Sequence, residues 1–231
     1  QIIPGITSIR PANVFPVVFG ILFGPAAAWG SAIGNLIGDI FGGTFGPGSV
    51  GGFVGNFAYG LVGYKLWGNL SPLSSGTEPN FRGKIGRQLV EYGIIAITAS
   101  ALCAVIISWV VDLLGLVPFA VLGPTILINN AVASVVLGPP LLYLTYPRIK
   151  EMGLLYPDLL RGDDLPSPRS GVNLISAWGL VAVSLLWLGG GIVISAGAAP
   201  GAISVAVIGA IGFIISVIGA GMTRERFSRM V

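Results

Sequence analysis

The sequence predicts an all-α fold, a polytopic bundle of membrane helices. Charged residues make up 9% of the chain and hydrophobic residues 54%, whereas a soluble domain carries about 25% charged residues. Charge-free runs cover 11–38, 40–64, 92–111, 113–147 and 170–223, and one membrane span needs about 20 apolar residues. The last run, 54 residues long, has room for two spans and a turn. Glycine and proline clusters punctuate the runs where helices must end.

Residues 1–12 (QIIPGITSIRPA) are broken by Pro4-Gly5 and Pro11 and read as a loop with Arg10 near its end. A short helix is expected over 13–23 and a longer one over 25–41, separated at Gly24-Pro25, because proline suits the first turn of a helix. The short piece reaches only ~17 Å at 1.5 Å per residue, so it is either a short span or a re-entrant half-helix. The longer one carries Gly30, Gly34, Gly38 and Gly42 at four-residue spacing. That face lets a partner helix approach to backbone contact, and Asn35 and Asp39 form a polar face about 100° away.

Residues 42–52 are a glycine-rich turn, and the next helix, 49–67, holds Gly51, Gly55 and Gly63 in register with Tyr59, plus Asn56. After a polar loop at 68–84 a helix is expected over 85–114. Leu116-Val117-Pro118 should end it, and Pro124 should restart a helix to Tyr146 that carries Asn129 and Asn130 and kinks at Pro139-Pro140. A second polar loop at 147–170 precedes two apolar helices, 171–196 and 201–222, and a tail with Arg224, Arg226 and Arg229. The five tryptophans are assigned to membrane interfaces.

Orientation follows from basic residues, which favour the cytoplasmic side. Lys65, Arg82, Lys84 and Arg87 flank the first loop, and Arg148, Lys150, Arg161 and Arg169 the second. Two spans separate each of these clusters and the arginine tail from the next. Both loops and the tail therefore fall on one side, taken as the cytoplasm, and 1–12 lies outside if the short helix crosses. The chain starts at Gln1 with no signal-peptide pattern, and it is read as preceded by further chain.

Nothing reads as an enzyme. There is no phosphate-binding loop, nucleophile elbow or metal-ligand spacing, and no histidine. Gly189 to Gly191 lack the preceding strand that a nucleotide fingerprint needs, and a single cysteine, Cys103, forms no internal disulfide. No cofactor is expected. The pI of about 9.3 reflects loop residues and does not indicate nucleic acid. The informative residues are polar groups at membrane depth, which usually face a protein interior or a water-filled cavity. Asn35, Asp39, Asn56, Asn129 and Asn130 lie on three helices and suit a common polar pocket, with Tyr59 available to stack on a ligand. Each alone also fits a plainer role: Asp39 at the interface, the asparagines in interhelical hydrogen bonds. Arg10 would close over a carboxylate-bearing ligand or contact lipid headgroups. The intramembrane charge is too sparse for a proton or ion pump.

The run RPANVFPVVFGILFGPAAAWGSAIGNLIGDIFGG, the turn after it, the helix ending GYKLW, and LINNAVASVVLGPPLLYLTYPRI resemble the substrate-binding S component of energy-coupling factor (ECF) transporters, notably the queuosine-precursor type. The resemblance covers 9–150. It implies a six-helix core over 1–150 whose first helix lies upstream of Gln1, a lid at 1–12 and a vitamin-like ligand near the outer face. It also implies a membrane coupling (T) component and two cytoplasmic ATPases as partners. The family's small-residue coupling motif, on that first helix, is not in this sequence. Residues 151–170 would be a cytoplasmic loop, and 171–231 a two-helix transmembrane extension beyond the family core. A rival reading makes the chain a non-transporting structural subunit of a larger membrane complex, its pocket vestigial or lipid-filled.

Overall fold

The computed structural model describes residues 10–161, 164–165 and 170–231. A 3-10 turn, Pro11–Val14, leads into α1 (Phe15–Phe23), then α2 (Pro25–Phe41), α3 (Ser49–Leu66), α4 (Ile85–Leu113) and α5 (Phe119–Glu151). A short α6 (Tyr156–Leu159), α7 (Ser170–Ala196) and α8 (Ile203–Met222) complete the chain, and no strand occurs among the described residues. Four segments, 85–113, 119–159, 171–196 and 203–229, are long and apolar enough to cross a membrane.

The bundle is assembled around α3, because its glycines let three helices reach its backbone. A Cβ on Gly20 would lie 2.1 Å from the Gly60 carbonyl oxygen, and one on Gly63 would lie 2.5 Å from that of Val17. On the α2 side, a Cβ on Gly60 would meet the Ala28 Cα at 2.8 Å, and one on Gly52 would meet the Asn35 amide at 2.6 Å. Towards α4, Gly51 faces Val110 and Gly55 faces Ile107. Contacts this close recover dispersion energy in a solvent where apolar burial gives little.

The same contacts settle the path of α1. Its start lies level with Tyr59, whose hydroxyl is 2.8 Å from the Asn13 carbonyl oxygen. Its end, Gly24, abuts Tyr156, which stacks edge-on against Tyr64. α1 therefore runs beside only the C-terminal half of α3 and is half its length. Gly24, at φ 58°, reverses the chain, a conformation that strongly favours glycine. Pro25 then opens α2, which returns antiparallel to α3 along its full length. Of the expected lid, residues 1–9 lie outside the described residues.

Several expectations are corrected. α5 starts at Phe119, directly after Pro118, five residues before Pro124, and runs unbroken through Pro124, Pro139, Pro140 and Pro147 to Glu151. Neighbouring helices make prolines tolerable in a membrane helix, since they help to satisfy the freed carbonyls. The second polar loop therefore contains the end of α5 and all of α6; residues 162–163 and 166–169 lie outside the described residues. Trp67 and Trp187 are buried inside the bundle. The Trp67 indole donates to the Thr77 carbonyl at 3.0 Å, and Trp187 stacks edge-on against Trp109.

The basic end of the bundle is closed by polar contacts. Buried Glu91 accepts from the Gly68 and Ser75 amides and from the Ser74 and Ser75 hydroxyls, at 2.7–2.8 Å. The Asn173 amide donates to Asn69 Oδ1 and to the Arg224 carbonyl, joining α7 and the tail to the α3–α4 loop. Phe227 stacks with Tyr146 and Tyr156, and the Tyr156 hydroxyl donates to Glu225.

A Cβ built on Gly30, Gly34 or Gly38 would meet nothing within 4 Å among the described residues. Gly20→Ala should therefore destabilise the detergent-solubilised protein by about 2–3 kcal/mol, because a backbone has to move. Gly34→Ala should leave stability unchanged within about 1 kcal/mol or raise it, alanine being the better helix former. Thermal unfolding of both variants checks this, and equal melting temperatures would refute the central role given to α3.

Candidate functional site

At the end opposite the basic loops, between the α2–α3 and α4–α5 turns, lies a cavity of about 620 Å³. Six of the residues expected to form a pocket line it together: Arg10, Asn35, Asp39, Asn56, Asn129 and Asn130. Gly42 also lines it, as the cap of α2 and apart from the outward glycine stripe. α4 supplies the apolar wall with Cys103, Ile107 and Val111, and the α4–α5 turn adds Leu116 and Val117.

The polar groups are held in place by specific bonds. The Asn35 amide donates to Asp39 Oδ2 at 3.4 Å, one helical turn along the same face. The Asn56 amide donates to the Gly52 carbonyl at 2.9 Å, one turn back along α3. Asn129 Oδ1 accepts from the Arg10 backbone amide at 3.3 Å, which ties the chain before α1 to α5. Asp39 has no ion-pair partner among the described residues. A carboxylate on the last turn of a helix also lies against the negative end of the helix dipole. Its position there has an electrostatic cost that a hydrogen-bond donor or cation would offset.

Tyr59 is placed differently from expectation. It is 1% exposed and is not on the cavity wall, so its ring is not free to stack on a ligand. Its hydroxyl sits in a buried network, 2.6 Å from Ser134 Oγ and 3.2 Å from the Asn130 carbonyl oxygen. Ser134 donates to the Asn13 carbonyl at 3.0 Å. Tyr59 therefore supports the floor from below.

Asn13 is the residue that sequence reading missed. It lines the cavity, and its amide donates to Asn130 Oδ1 at 2.8 Å. The available signal was a lone asparagine between Arg10 and the apolar run of α1. Ser49, in the glycine-rich turn, and Cys103, weighed only for disulfide chemistry, line the cavity as well. Among the described residues no cluster of three or more histidine, cysteine or acidic side chains converges on a metal-sized site.

The wall combines amides, one carboxylate, one arginine and the hydroxyls of Thr44 and Ser49 against a largely aliphatic face. That combination suits a small molecule with an apolar or planar body and an edge that both donates and accepts hydrogen bonds. Comparison with known proteins gives one family: the profile described as QueT transporter matches residues 1–147. No curated protein and no solved structure matches the chain.

Tyr59→Phe should destabilise the protein by about 1–2 kcal/mol, since it leaves buried acceptors short of a donor. Denaturation in detergent measures this. Unchanged stability would mean the floor does not depend on the hydroxyl.

Proposed function

The chain belongs to the QueT transporter family, S components of ECF transporters for queuosine precursors, and on that basis we propose that it is the substrate-binding subunit of an ECF-type ABC importer. It is a multi-pass membrane protein with a transport role. The observation that carries the substrate-binding reading is the convergence of polar residues from α2, α3, α5 and the segment before α1 on one cavity of about 620 Å³. The ligand is a small, partly polar molecule of queuosine-precursor or vitamin-like type. Its donor groups meet Asp39 and Asn35, and Arg10 and Asn129 stand on the facing wall.

The partners in this reading are a membrane coupling component and two cytoplasmic ATPases. The loops at 68–84 and 147–170 and the C-terminal tail face the cytoplasm, and the cavity opens towards the other side. Support for this orientation comes from the basic residues at one end of the bundle. The exposed stripe of Gly30, Gly34 and Gly38, flanked by exposed Ile33 and Ile37, serves as the surface against which a membrane partner packs.

Two experiments test these points. Asn35→Leu and Asp39→Asn should each weaken binding of a queuosine precursor to the purified protein by about tenfold or more, the effect of losing a charge-assisted or buried hydrogen bond. Calorimetry measures it, and unchanged affinity in both variants would remove the cavity from the reading. Mass spectrometry of proteins that co-purify in mild detergent should find two ATPases and a coupling protein. Gly34→Leu should abolish that association while leaving ligand affinity intact. A large assembly without ATPases would favour a structural subunit instead.

A further inference from the structure

We infer that the two-helix extension, α7 and α8, braces the wall of the cavity, with Asp112 and Ser195 as positioning residues. Its meaning for substrate rests on the function proposed above, but the brace itself is geometric. The N-terminal end of α5 carries three cavity residues, Ile126, Asn129 and Asn130, and the first backbone amides of a helix need partners from outside it. At α5 these come from two sources. The Phe119 amide donates to Asp112 Oδ2 at 2.7 Å, and the Ala120 amide donates to Ser195 Oγ at 3.2 Å. Ser195 belongs to α7, and its hydroxyl in turn donates to Asp112 Oδ2 at 3.3 Å. The other carboxylate oxygen, Oδ1, accepts from the Gly201 amide of the α7–α8 turn at 3.0 Å.

Asp112 is therefore a three-way junction between the end of α4, the start of α5 and the extension. It is fully buried, Ser195 is 4% exposed, and no cation pairs with the carboxylate among the described residues. Between Asp112 and Phe119 lie Leu116 and Val117, which form part of the cavity wall. α4 itself has two working faces: Cys103, Ile107 and Val111 face the cavity, while Trp109 packs on Trp187 of α7 and Phe213 of α8. Phe119 adds an apolar lock, its ring filling the place where a Cβ on Gly191 of α7 would lie, at 2.4 Å. The elements that form the apolar wall are thus clamped from behind by residues outside the matched span of 1–147. Loosening the junction frees the α4–α5 turn, and the wall opens.

The protein carries its own reporter. Cys103 is its single cysteine, lines the cavity and is 1% exposed. Alkylation of the full chain in detergent by N-ethylmaleimide, followed by intact-mass spectrometry, reads how often the wall opens. Ser195→Ala and Asp112→Asn should each raise the alkylation rate by about tenfold, as expected when a local opening loses a hydrogen bond to a buried charge. Asn173→Ala provides the control, because it cuts a tie of the extension at the far end of the bundle. It should lower thermal stability and leave Cys103 reactivity unchanged. Should Asp112→Asn fail to fold, Ser195→Ala alone decides. Wild-type reactivity in Ser195→Ala, or equal acceleration by Asn173→Ala, would overturn the brace. No substrate enters this measurement, so its failure is distinct from failure of the transporter reading. Loss of ligand affinity in Ser195→Ala would then connect the two.

Discussion

Backbone-to-backbone contact along α3 is the constraint on which the other features depend. Gly60 and Gly63 admit α1 and α2, Gly51 and Gly55 admit α4, and no side chain larger than hydrogen fits at the closest of these points. In lipid this is how helices gain from association, because moving an apolar side chain from lipid to protein changes its surroundings little. Close approach also fixes depth. With α1 and α2 both seated on α3, Asn13 arrives level with Tyr59 and Asn35 level with Gly52, and the polar residues of separate helices come to face one space.

Buried charge is handled in one consistent way. Glu91 and Asp112 have no cationic partner among the described residues and instead accept from several amide and hydroxyl donors. Charge-assisted hydrogen bonds of this kind are about twice as strong as neutral ones. They also have direction, so each carboxylate fixes the loop that supplies its donors. Asp39 is the contrast. It lines the cavity, with one long hydrogen bond to its carboxylate, from Asn35, among the described residues.

Much of this was legible in the sequence because membrane helices leave strong marks. Charge-free runs located the spans, Gly24-Pro25 marked the break between α1 and α2, and asparagines in apolar runs stood out as candidates for one cavity. Tertiary context decided the rest. Pro124 read as a helix start, but α5 begins at Phe119 because Asp112 and Ser195 serve its first amides, and nothing local announces that. Tyr59 shares a register with three glycines, yet its direction depends on Ser134, 75 residues away. Both the outward stripe and the inward glycines Gly51, Gly55 and Gly63 show a four-residue rhythm, so rhythm alone did not tell which stripe packs inside the chain.

The half-length of α1 has a consequence for how the site is made. Above the depth of Tyr59 no helix among the described residues stands between Asn35 and Asp39 of α2 and Asn129 and Asn130 of α5, and the cavity lies there. Its walls are the sides of helices that elsewhere meet another helix. In the proposed function, a guest seated there would fill space that a helix fills elsewhere in the bundle. It becomes a structural member of the bundle, and tight holding and easy release become questions of architecture as much as of recognition.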